Sequence, residues 1–128
     1  MALKGRCIVR LALLFCLSAG LSFAGTWSGT LVDARCWGFE ERNIPPNDTT
    51  QFVDRDRNEE VRFCSPGAKT KTFAIVPPDG MSLALDGAGN AKAAGLIRGA
   101  SKYAVIRVSV TGDLANQTIQ VRSIARTD

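Results

Sequence analysis

Histidine is absent from this chain of 128 residues. Its absence excludes Ser-His-Asp and Cys-His catalysis and every metal site that needs an imidazole. Aromatic residues are scarce at 7%, with a single tyrosine and two tryptophans. No apolar run is long enough to cross a bilayer as a helix. The longest, Leu11 to Phe23, falls short of the roughly 20 residues a spanning helix needs. Phosphate-binding loops are missing too. Gly87-x-Gly89 precedes a helical stretch but lacks a third glycine and a parallel βαβ setting.

The first segment that carries information is the N-terminus. Lys4, Arg6 and Arg10 form a basic region, Leu11 to Leu21 an apolar one, and Ser22-Phe23-Ala24 supplies small residues at the −3 and −1 positions. This is the pattern of a secretory signal at residues 1–24, with cleavage expected between Ala24 and Gly25. An uncleaved anchor is the alternative. Cys16 follows Leu14-Phe15 rather than a small residue, which argues against a lipidated cysteine. The expected location is periplasmic or secreted.

Setting that segment aside changes the charge argument. It holds three basic and no acidic residues, so the net charge falls from +4 to +1. The basicity therefore belongs to the leader, and nucleic acid is not an expected partner. Residues 25–128 are enough for one domain with a modest core.

Of four cysteines, Cys7 and Cys16 lie in the leader, which leaves Cys36 and Cys64. In an oxidising compartment they are expected to pair, the alternative being two free thiols. Closing the 36–64 loop would contribute about 3–4 kcal/mol on the chain-entropy model.

Alternation and turn chemistry define the rest. Residues 26–34 read as a first strand, with Gly29 marking a bulge or a sharp bend. Residues 36–67 read as irregular, with a Pro45-Pro46-Asn47-Asp48 turn and a short helix within 52–62. Residues 71–76 and 81–85 read as a hairpin across Pro77-Pro78-Asp79-Gly80. Residues 86–90 read as a flexible turn and 91–97 as a short helix ending at Gly99. Residues 102–111 alternate most clearly, and 112–116 read as a turn. Residues 117–125 form the last strand, with Ile124 out of phase and so implying a bulge. Five strands with a short helix between the third and fourth is the layout of a small OB-like Greek-key barrel. A meander or small sandwich is the competing architecture.

The chain resembles a family of small exported bacterial proteins with an OB-like domain. The resemblance rests on Gly29-x-Leu31-x-Asp33-x-x-Cys36 and on the finish Val108-x-Val110-x-Gly112 … Ile119-x-Val121-x-x-Ile124. It implies a fold and a compartment and no activity. Such relatives carry histidines after the first cysteine, so a metal role there does not transfer to this chain.

Candidate functional residues fall into four groups. Asp33 with Glu40 or Glu41 would form an acid/base pair in a small hydrolase or enzyme accessory subunit; the bland reading is a backbone cap beside solvated glutamates. Asp54-x-Asp56-x-Asn58 opens like a calcium loop. It then fails at Glu59 and Ser65, which leaves a weaker site of Asp54, Asp56, Asn58 and Glu60, or a solvated loop neutralised by Arg55, Arg57 and Arg62. Trp37, Phe39, Phe52 and Phe63 form either a stacking surface or a small core beneath the disulfide. Tyr103, Arg107, Arg122 and Arg126 are expected on the polar face of the last two strands. Two glycosylation-type triplets, at Asn47 and Asn116, are given no role. Together these readings favour a non-catalytic exported binding or envelope-interaction module without a cofactor. Its partner would be an envelope protein or an oligosaccharide, met by a surface drawn from Trp37, Phe39, Tyr103, Arg107 and Arg122. A secreted inhibitor presenting the Cys36–Cys64 loop is a further alternative.

Overall fold

Two-residue alternation organises the chain into strands, most with one buried face, while Phe73–Val76 is buried on both. In the computed structural model, which describes residues 23–42, 60–78 and 81–127, five of them close into a barrel. The order along the chain is β1 (Phe23–Asp33), α1 (Ala34–Arg42), β2 (Phe73–Val76), β3 (Leu83–Leu85), α2 (Gly87–Leu96), β4 (Arg107–Ala115) and β5 (Thr118–Arg126). Around the barrel the order is β1-β2-β3-β5-β4, with β4 returning to β1. All neighbours are antiparallel except β3 and β5, which run parallel. This is the Greek-key order of an OB-like barrel, with α2 filling the crossover between β3 and β4.

Closure depends on β1. Its residues Phe23–Thr30 pair with β4, and Thr30–Asp33 pair with β2. The strand changes partner at Thr30, next to Gly29. A Cβ on Gly29 would lie 2.7 Å from the Val76 carbonyl oxygen, so glycine permits the close approach at this corner. Gly29 thus sits where β1 passes from one partner to the other, with no bulge in either register.

The barrel interior is filled by Leu31, Phe73, Ile75, Leu85, Ile106, Val108, Val110, Ile119 and Val121, with Ala93 and Ile97 sealing it. Each large aliphatic side chain so buried contributes roughly 1.5–3 kcal/mol. Helix α2 comes close because it presents Gly89 and Ala93 to the barrel. A Cβ on Gly89 would collide with the Val121 side chain and sit 2.9 Å from Leu85 Cβ.

Several boundaries differ from the sequence expectation. The segment read as a flexible turn at 86–90 is the first turn of α2. Asp86 caps it by accepting the Gly89 N–H at 2.9 Å, and the same oxygen accepts the Val121 N–H at 3.2 Å. Packing against β5 overrides the poor helix propensity of the two glycines. Residues 36–42, read as irregular, belong to α1, which begins at Ala34, read as the end of the first strand. Strand β4 starts at Arg107 rather than residue 102. Tyr103 instead occupies a turn with φ 63°, and Ala104 N–H donates to the Ser101 carbonyl at 3.2 Å.

The predicted turn at 112–116 is also displaced. Strand β4 runs on to Ala115, and the hairpin is the two-residue turn Asn116-Gln117, both at positive φ. The implied bulge is present: Thr111 faces Ser123 and Gly112 faces Val121, which leaves Arg122 as the extra residue. That insertion returns Ile124 to the core side beside Ile119 and Val121. Strands β2 and β3 pair as expected, through Ala74 with Ala84 and Ile75 with Leu83. Strand β1 extends two residues past the expected cleavage junction, pairing Phe23 with Leu114 and Ala24 with Asp113.

Candidate functional site

Outside the barrel wall, the connection between β1 and β2 builds a second small core. Val32, Trp37, Val61, Cys64, Ala74 and Val76 pack together there. The disulfide closes it, with Cys36 and Cys64 joined at an S–S distance of 2.03 Å and a Cα–Cα separation of 5.5 Å. Trp37 is 1% exposed. Trp37 therefore belongs to a small core beneath the disulfide, the alternative offered for it by the sequence, and not to a binding surface.

Asp33 organises this region. One carboxylate oxygen accepts the backbone N–H groups of Arg35 at 3.0 Å and Cys36 at 3.1 Å, which caps α1. The other accepts the Thr70 hydroxyl at 2.9 Å. The Asp33 N–H donates to the Cys64 carbonyl at 2.8 Å. Asp33 thus has the structural role that was the bland alternative to an acid/base role. Asp113 is held by the Arg122 guanidinium at 2.8 Å, and Asp86 is a helix cap. Among the described residues no group of three or more acids and cysteines is placed to hold a metal ion. The Asp54, Asp56 and Asn58 portion of the calcium-like segment lies outside the described residues, as do Phe52 and the Asn47 triplet.

Beside this second core lies a groove of about 790 Å³. One wall is the outward face of β1 at its corner, Ser28 and Thr30. The disulfide-held segment contributes Val61 and Arg62. The end of β2 and the following loop contribute Val76, Pro77 and Pro78, and the far wall is Val105, Arg107 and Thr127. Backbone bonds fix these walls. Ile106 carbonyl accepts the Leu31 N–H at 2.7 Å, and Arg107 carbonyl accepts the Thr127 N–H at 3.0 Å. The Ser65 hydroxyl donates to the Ala104 carbonyl at 2.6 Å, tying the cross-linked segment to the chain that leads into β4.

The residues expected to share one surface are dispersed. Arg107 lines the groove. Arg122 sits at the bulge opposite Thr111 and Gly112, several residue steps along β4, and is ion-paired. Tyr103 is 55% exposed in its turn, with the Lys102 ammonium 5.1 Å from its ring centre. Phe39 on α1 is 60% exposed and Phe63 65% exposed, and neither lines the groove. Arg126 is exposed near the end of β5. Arg62, read from the sequence only as a neutralising charge, is the groove residue that was missed. Its signal was its position two residues before a bridged cysteine.

No helix among the described residues is long and apolar enough to cross a membrane. Compared with protein-family models, curated proteins and solved structures, the chain matches none.

Proposed function

We propose that this is a non-catalytic binding module exported to an oxidising compartment, and that the groove beside the disulfide-held segment receives a partner protein. The observation that carries this reading is the groove itself. Its walls are tied by backbone hydrogen bonds, its lining mixes serine, threonine, arginine and aliphatic residues, and its volume lies within the few hundred to about 1,000 Å³ of ordinary ligand sites. Asp33, Asp86 and Asp113 serve as caps and in an ion pair, which supports a binding role over a carboxylate hydrolase. The described residues lining the groove are arginine, hydroxyl and aliphatic residues with no aromatic ring among them, a mixture that suits a peptide, so a protein partner is favoured over an oligosaccharide. The disulfide, the secretory pattern at residues 1–24 and the resemblance to small exported proteins all support export.

The test is capture from an envelope fraction by the purified protein, compared with a Ser28→Trp variant that fills the groove from an exposed strand position. A partner held by the wild type and by Tyr103→Ala, and lost by Ser28→Trp, supports the reading. A partner held equally by Ser28→Trp contradicts it.

A further inference from the structure

Two guanidinium groups line the groove from separate parts of the chain. Arg62 comes from the segment tied down by Cys64, and Arg107 from the first position of β4. Both are exposed. Neither has an ion-pair partner among the described residues, and no described residue lining the groove is acidic. Arg122 gives the contrast on the same molecule, because it is held by both oxygens of Asp113, at 3.0 and 2.8 Å.

Two arginines on one concavity without acidic neighbours make it attractive to an anion. Guanidinium forks suit carboxylates in particular, because two parallel N–H donors match the two oxygens. The lining also holds Val61, Val76, Pro77 and Val105, which suits aliphatic side chains. Ser28 and Thr30 add hydroxyl donors along the β1 wall. Building on the groove reading above, we propose that the groove recognises a carboxylate-bearing peptide segment of its partner, with Arg62 and Arg107 as the residues that read the acid. Recognition is local. With a net charge near +1 after leader removal, the domain does not steer acidic partners from a distance.

The probes are hexaglutamate, hexaglutamine and inorganic phosphate, titrated into the purified protein while the arginine side-chain N–H signals are followed by NMR. Hexaglutamate is expected to shift Arg62 and Arg107 saturably and to bind more tightly as salt is lowered. Arg62→Gln and Arg107→Gln should each weaken binding about five- to ten-fold, and the double variant should abolish the shifts while keeping the wild-type fold. Equal response to hexaglutamine, or shifts centred on Arg98 or Arg122, would overturn the proposal. Phosphate saturating the same two arginines at lower concentration than hexaglutamate would also overturn it, in favour of a phosphate ligand. Envelope capture separates this inference from the reading beneath it: a partner lost by Ser28→Trp but kept by the double glutamine variant leaves the groove standing and removes the carboxylate.

Discussion

Asp33 and Cys36 are joined by a 3.1 Å hydrogen bond from the cysteine N–H to the aspartate carboxylate. Three residues apart is the spacing of a helix cap and its third helical position. The same aspartate N–H meets the carbonyl of Cys64, the residue to which Cys36 is bridged. The Gly-x-Leu-x-Asp-x-x-Cys run thereby acquires a physical account. Gly29 allows the barrel corner, Leu31 fills the barrel, Asp33 starts the helix, and Cys36 locks that helix to the far end of the loop.

The first prediction concerns that aspartate. Asp33→Ala removes a cap and a buried-side acceptor for Thr70 and should lower stability by about 1–2 kcal/mol. Asp33→Asn, which still caps, should lose about half as much. Chemical denaturation with an unchanged slope is the check, and an Ala variant as stable as the wild type would refute the role.

The disulfide should contribute about 3–4 kcal/mol, so Cys36→Ser with Cys64→Ser should lower the denaturation midpoint accordingly. Intact mass before and after reduction should differ by two hydrogens. An unchanged mass would mean that the two thiols are free.

Helix α2 offers a pair of substitutions with opposite signs. Gly95 is exposed with open space around its Cβ position, so Gly95→Ala should stabilise by about 0.5–1 kcal/mol through propensity alone. Gly89→Ala has the same propensity gain but meets Val121 and Leu85, and should destabilise by about 1–3 kcal/mol. Thermal unfolding of both variants decides; stabilisation by both would show that α2 does not rest against β5 as described.

Trp37 and Phe63 should part company in the same way. Trp37→Ala empties the second core and should cost about 3–5 kcal/mol, whereas Phe63→Ala should stay within about 0.5 kcal/mol. The Trp37 Nε1 is buried without an acceptor among the described residues. Trp37→Phe discards that unsatisfied donor and should cost well under half as much as the alanine change. Equal effects of the two alanine variants would place Trp37 on the surface after all.

The barrel was legible wherever local pattern and tertiary role agree. Alternation in Val108 and Val110, the phase break at Ile124 and the punctuation after Val76 each have a short-range physical cause. The order of strands and the bulge followed from them. Helix α2 was misplaced because its start depends on Asp86 and on close contact with β5, which no propensity scale includes. The alternation through Ala104 and Ile106 mimicked a strand, yet residues 102–106 lie outside β4 and Tyr103 takes a positive φ. The groove was the least legible feature. Arg62 and Arg107 are far apart in sequence, and only the disulfide and the β1 corner bring them to one concavity. Arg107 and Arg122, by contrast, looked like one face, but Arg122 is the bulge residue itself and lies several steps along β4 from Arg107.

The central claim is that the groove, rather than the exposed aromatics beside the disulfide, meets the partner. The most direct measurement is the affinity of the captured partner for three chains side by side: wild type, Ser28→Trp, and Phe39→Ala with Phe63→Ala. The account predicts at least a ten-fold loss, about 1.4 kcal/mol, for Ser28→Trp and an affinity within two-fold of wild type for the double alanine variant. The reverse order would contradict it and would favour a loop presented by the disulfide as the binding surface.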